Sequence, residues 1–299
     1  MDKENTLSKE IVAMTTLTAQ KDRLITSTHT AFRTLEGDGF EVRRAIPSKG
    51  YEAVGPFIFL DHFGPIEFLP DEAKGASAHP HAGIETLTLL LEGRSIHKDS
   101  LGNMSVMQPG EVQWMRAGRG IIHDEGPDAE IQRTGGRNHG IQLWLNMPKG
   151  RKHDDPAYRH FTTGEIPVVL ADKATARIVA GQVNEVTGPL ESFGSPVVIH
   201  ASLKAGGRIT FETDARELAL YTMTGAAVIA GQAVSPGELV RFGDGDAVTL
   251  TSDQDSEILL VGGDPLDAPI VRHGPFVMNT IDELERAVRD YYAGRMGHI

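Results

Sequence analysis

Two short strings carry the side chains best suited to chemistry, His79-Pro80-His81 and His123-Asp124-Glu125. Each sets two metal-competent groups two residues apart in a stretch that reads as β-strand. Successive side chains on a strand point to opposite faces, so residues at i and i+2 share one. Two such strands side by side would enclose a single ion among three imidazoles and a carboxylate. That donor set suits a catalytic first-row metal that keeps positions open for water or substrate. The chain has no cysteine. Disulfides, iron–sulfur clusters and thiolate sites are therefore excluded, and any metal must rest on nitrogen and oxygen. A structural zinc site is the blander reading, but such sites are closed and often cysteine-rich.

The chain contains twelve histidines, and a surface or hydrogen-bonded core role is the default for any one of them. His62, His97, His139 and His200 fall under that default, as do the others outside the two strings. His79, His81 and His123 stand apart because the i, i+2 pairing occurs twice with matched chemistry. Glu85 shares a face with His81 only if the strand between them is regular, and Gly83 makes a bulge there possible. Spacing leaves it as a spare ligand, a partner of a ligand histidine, or an inward core carboxylate.

The elements that must position these groups read as many short strands. Phe57-Ile58-Phe59-Leu60, Thr86 to Leu91, Met104 to Met107, Glu111 to Met115 and Gly140 to Leu145 alternate with turns at Gly93, Gly102 and Pro109-Gly110. This spacing predicts an all-β sandwich or barrel. At 299 residues the chain exceeds the usual size of one core, so two domains are expected. The expected division is an N-terminal arm over 1–30, a metal-binding barrel over 31–147, a charged linker over 148–165, a second barrel over 166–270 and a closing segment over 271–299. Aligning Leu91-Glu92-Gly93 with Met223-Thr224-Gly225, and Pro109-Gly110 with Pro236-Gly237, makes the second half an echo of the first. Phe211 and Thr213 then stand in for His79 and His81, and Leu250 and Ser252 for His123 and Glu125, so the second barrel lacks ligands. A helix is predicted after Thr280, with Glu283 completing a capping box and Ile281, Leu284, Val288 and Tyr291 forming an apolar stripe.

Lys and Arg number 29 against 41 Asp and Glu, a net charge of −12. Such a surface argues against direct nucleic-acid binding and anionic membranes. No run of about 18 apolar residues suggests a span, and the start lacks a basic secretory signal. A cytoplasmic protein is expected.

These residues resemble the metal motifs of the cupin superfamily and, more closely, the pirin family. The resemblance runs through Phe57 to Pro65, His79-Pro80-His81 with Gly83, Glu85-Thr86, Leu91-Glu92-Gly93, Gln113-Trp114-Met115, and Ala117 to His123, and resumes at Arg272-His273-Gly274-Pro275-Phe276-Val277-Met278-Asn279-Thr280. It implies a bicupin, two double-stranded β-helix (jelly-roll) barrels face to face with a short C-terminal helix, and metal in the first barrel only. The implied ligands are His79, His81, His123 and Glu125, with Glu85 outside the set. The implied metal is Fe(II), while Mn, Ni, Co, Cu or Zn would suit the same donors. The family includes flavonol (quercetin) 2,3-dioxygenases, which implies a flavonol-like substrate, O2-dependent ring opening with release of carbon monoxide, and Glu125 as general base. It also includes iron- and redox-sensitive regulators, which implies as the alternative a non-enzymatic role with a transcription factor or metabolic enzyme as partner. Phe57, Phe59, Trp114 and Met115 are candidates for pocket walls, with barrel core the leading reading for each.

Overall fold

In the computed structural model, which describes residues 21–299, the alternating segments form curled antiparallel sheets. Among the described residues a seven-stranded sheet runs, in spatial order, Ala157–Phe161, Val112–Arg116, Ile84–Glu92, Gly136–Asn146, Phe57–Phe68, Phe40–Ile46 and Phe32–Glu36. Facing it is a four-stranded sheet, Ala76–His81, Ile121–Pro127, Ser95–Asp99 and Met104–Met107. Together they make the first barrel. The second barrel is a nine-stranded sheet running Ile25–Thr30, Glu238–Phe242, Glu217–Thr224, Ser256–Gly263, Val197–Glu212, Ala247–Ser252, Ala227–Ile229 and Gln232–Val234, with Val168–Ala180 also on Val197–Glu212.

The two interiors differ in kind. The second barrel is filled by an apolar cluster that includes Ile199, Ile209, Phe211, Val248, Leu250 and Leu260, all at most 3% exposed. Close packing of this sort leaves no room for a ligand. Its register places Ile209 opposite Leu250, whereas the turn alignment would place Phe211 there; the echo is offset by two residues, and both partners are hydrocarbon either way. Ser252 is buried and bonded to Ser256 at 2.8 Å. The first barrel sets one large group of its buried apolar residues on the outside of the seven-stranded sheet. There Leu60, Leu87, Leu143 and Trp114 join Ala219, Tyr221, Leu259 and Val261 of the second barrel in one buried cluster. That shared cluster is what holds the barrels face to face.

A polar chain crosses the same seam. Tyr221 Oη lies 3.1 Å from His62 Nδ1, His62 Nε2 lies 2.8 Å from His139 Nε2, and His139 Nδ1 lies 3.3 Å from Glu92 Oε1. With both rings neutral and Glu92 ionised, one assignment satisfies every link. Tyr221 donates to His62, His62 donates to His139, and His139 donates to the carboxylate. The two histidines are thus the hydrogen-bonded core residues that the sequence suggests.

Several segments lie elsewhere than the sequence divides them. The arm expected over 1–30 falls largely outside the described residues, but Ile25–Thr30 is a strand that pairs with Glu238–Phe242 of the second barrel. Its alternating half-buried residues supply the pattern that pairing requires. The 148–165 stretch is not a free linker either. Ala157–Phe161 is the edge strand of the first barrel, and Lys152 is fully buried, donating to Gly83 O and Val277 O at 2.9 Å each and to Asn146 Oδ1 at 2.5 Å. A short unforeseen helix, Ala129–Thr134, is capped by Asp128.

The closing helix spans Ile281–Tyr292. Thr280 Oγ1 accepts from Glu283 N, and Glu283 accepts in return from Asn279 N. The buried face is carried by Leu284 and Ala287 with Val288 and Tyr291 beside them, while Ile281 is 66% exposed and lies outside the expected stripe. A first-turn residue sits at the edge of the contact. The helix packs on Ala82 and Ile122 of the first barrel, next in sequence to His81 and His123.

Candidate metal centre

Antiparallel pairing of Ala76–His81 with Ile121–Pro127 sets His79 directly opposite His123. His81 is on the face that His79 occupies, so three rings meet at the floor of the first barrel. His81 and His123 are buried and His79 is half-buried. One ligand-competent nitrogen from each of the three lies within 4.8 Å of the others. His79 Nε2 is 3.1 Å from His81 Nε2 and 2.9 Å from His123 Nε2.

The ring tautomers show what the cluster is for. His79 Nδ1 donates to Ser77 O at 2.9 Å and His81 Nδ1 to Pro275 O at 3.1 Å. In the neutral form each of these rings therefore carries its proton on Nδ1 and turns a lone pair on Nε2 toward the same point. Two facing lone pairs repel unless a cation or a proton lies between them. His123 cannot serve both neighbours, and its own Nδ1 is buried without a partner. The residues therefore fit a metal ion. Burial, then the His79 charge, pushes His81 down to about 3 against the opposing Pro275 carbonyl, and burial holds His123 well below its ordinary value. Neutral imidazole, the ligand form, is thus the state the fold favours.

The structure sets Glu125 at the wall of this site and not among the three close nitrogens. The extra residue of the register shift lies in Ala76–His81, while Ile121–Pro127 stays regular against Ser95–Asp99, so Glu125 keeps the strand face of His123. Gln142 Nε2 donates to Glu125 Oε1. Glu85 is a buried carboxylate on the outer, seam-facing side of its strand with Leu87 and Leu89, not on the inward face. Gly83, at φ +75°, turns the chain from one sheet to the other, so the strand from His81 is not regular. A Cβ there would lie 2.0 Å from Val277 O, which only glycine avoids. Fully buried Glu85 then accepts from Trp114 Nε1 at 3.0 Å, Arg116 Nε at 2.9 Å and Ser192 Oγ.

Above the histidines opens a cavity of about 700 Å³, lined by His79, His81, Glu125, Gln142, Trp144, Phe59, Asp61 and Arg44 among others. Its aromatic wall is layered. Trp144 stands edge-on to His81 at 4.9 Å and stacks on Phe59 at 4.3 Å, and Arg44 covers the other face of Phe59 at 4.3 Å. Of the four apolar residues considered from sequence only Phe59 lines this cavity, while Phe57, Trp114 and Met115 are core. Sequence reasoning missed Gln142 and Trp144, although both alternate with core residues on Gly136–Asn146 and so face the interior. It also missed a buried support behind His123. His97 lies 5.5 Å from His123 between centroids, stacks on Tyr158 at 4.3 Å and bonds Asp99 at 3.1 Å. Burial pushes Asp99 up, but hydrogen bonds from His97 and Asn103 outweigh it and hold its carboxyl below the usual value.

Two barrels, one hollow with three converging imidazoles and one filled, define an all-β bicupin. Family models agree in both halves, matching Pirin over residues 39–145 and the Pirin C-terminal cupin domain over 198–297. The chain belongs to the pirin family. It is 36% identical over 283 residues, 92% of this chain and 98% of the relative, to a Vibrio cholerae protein provisionally named as a quercetin 2,3-dioxygenase. It is 34% identical over 270 residues to mouse Pirin, covering 88% of this chain and 90% of that one. A crystal structure titled quercetin 2,3-dioxygenase, from Acinetobacter baumannii, superposes with a TM-score of 0.86 at 30% identity over 93% of this chain and 99% of that one.

Proposed function

We propose that this chain is a mononuclear metal-dependent dioxygenase that opens the heterocycle of a flavonol with O2 and releases carbon monoxide. The carrying observation is the convergence of three imidazole nitrogens, two of them held in the ligand tautomer, on the floor of a cavity whose wall offers a held carboxylate and an aromatic face. Likeness to quercetin 2,3-dioxygenases in sequence and in structure supports the same reading. His79, His81, His123 and Glu125 are the proposed ligands, with Fe(II) the proposed metal. Bound there, such an ion supplies Lewis acidity toward a substrate oxygen and open positions for substrate and O2.

The chain's own residues do the rest. Gln142 holds Glu125 Oε1, which leaves Oε2 free to take the proton of the substrate hydroxyl as general base. Ser77 O and Pro275 O keep two rings in the ligand tautomer, so the site is formed before anything binds. Trp144 and Phe59 give a flat aromatic substrate one apolar side. The cavity volume of about 700 Å³ is ample for three fused or linked rings.

Aerobic incubation of the iron-loaded protein with quercetin tests this. The flavonol absorbance should bleach with release of one carbon monoxide per flavonol consumed. Absence of turnover with Fe, Mn, Ni, Co and Cu would refute the dioxygenase reading.

A further inference from the structure

The wall of the same cavity holds two guanidiniums in different circumstances. Arg44 has its counter-ions. Its Nε and Nη2 donate to the two oxygens of Asp61 at 2.8 and 2.7 Å, and Nη2 also meets Glu36. Arg272, on the strand Val271–His273, has none among the described residues. It is half-buried, and its hydrogen bonds run only to main-chain carbonyls, from Nη2 to Ile58 O at 2.9 Å and to Glu52 O at 3.4 Å. Its Nε and Nη1 make no hydrogen bond to the described residues.

A cation drawn out of water without a counter-ion is costly, and a second cation beside it adds to the cost. Burial depresses the pKa of Arg272 first of all; the Glu52 charge opposes that, and Arg44 reinforces it. An arriving anion would remove the imbalance. Position favours one too. Arg272 is on the segment whose Pro275 carbonyl orients His81, and Arg272, Pro275, His79 and His81 all line the cavity.

We infer that Arg272 receives an anionic oxygen of the ligand, so that the cavity selects planar aromatic anions, aromatic acids or ionised phenols, over their neutral counterparts. This rests on the cavity being the substrate pocket and adds which charge the substrate carries. A guanidinium–carboxylate contact is charge-assisted, which a neutral amide cannot reproduce.

The test is equilibrium binding to the full-length protein, read by quenching of tryptophan fluorescence. The probes are 3-hydroxy-2-naphthoate and its neutral carboxamide. Wild type should bind the acid about tenfold or more tighter than the amide. A bound metal also favours anions, so the comparison is repeated after chelator treatment, where the preference should persist. Equal affinities in the metal-free protein would overturn the inference. At matched metal content, Arg272→Met should remove about a tenfold share of the preference while amide affinity stays unchanged, and Arg272→Lys should restore part of it. A role confined to stapling Glu52 and Ile58 would weaken both probes alike in Arg272→Met, and that result would also refute the inference. Failure of flavonol turnover would leave these binding results standing, and the reverse holds as well.

Discussion

The seam chain of Tyr221, His62, His139 and Glu92 makes stability depend on pH in a way that one substitution isolates. His62 is fully buried and neutral. Burial, then the His139 and Arg43 charges, pushes it down to about 3 from an ordinary 6.5. The unfolded chain takes up this proton near its ordinary value while the folded chain refuses it. Stability from His62 is therefore fully present above about pH 6.5, is lost as pH falls below that, and goes on falling toward the folded value. Each pH unit in that window costs about 1.4 kcal/mol for a single group. Between about pH 6.5 and pH 5 the loss comes to roughly 2 kcal/mol. His62→Gln removes the titration and leaves the other buried histidines in place. Its baseline stability should drop by about 1–3 kcal/mol for the broken chain, but its pH slope should be shallower by about one proton. Urea unfolding of both proteins across this range, with metal content held equal, measures the two slopes. Parallel slopes would show that His62 is not held neutral and would refute the reasoning.

Two further outcomes are expected. Gln142→Leu frees Glu125 from its hydrogen bond, so flavonol turnover should fall by about 10- to 100-fold while the three histidines still retain metal in elemental analysis. Lys152→Met leaves the Gly83 and Val277 carbonyls and the Asn146 amide oxygen without their shared donor, so urea unfolding should show a loss of about 3 kcal/mol or more.

Much of the site is legible in the sequence because strand periodicity alone brings His79, His81 and His123 to one face. The all-β architecture and the ligand-free second half follow from the same periodicity and from turn spacing, and the family resemblance adds the bicupin arrangement. What could not be read depends on contacts between distant segments. Glu125 is held by Gln142 from the opposite sheet, a contact that leaves no mark in spacing. Pro275 fixes the tautomer of His81 through a carbonyl 194 positions away in the chain. Lys152 reads as a charged linker residue because burial of a lysine requires three acceptors, and two of those are backbone oxygens with no sequence signature. Ile25–Thr30 looks like a polar arm because this edge strand of the second barrel only half-buries every other residue.

The ligand set is the central claim. X-ray absorption and elemental analysis of the iron-loaded protein, beside His81→Ala and Glu125→Ala, test it most directly. The expected result is one metal per chain coordinated by three imidazoles and a carboxylate, with metal lowered in both variants. Full metal retention in both variants would contradict it.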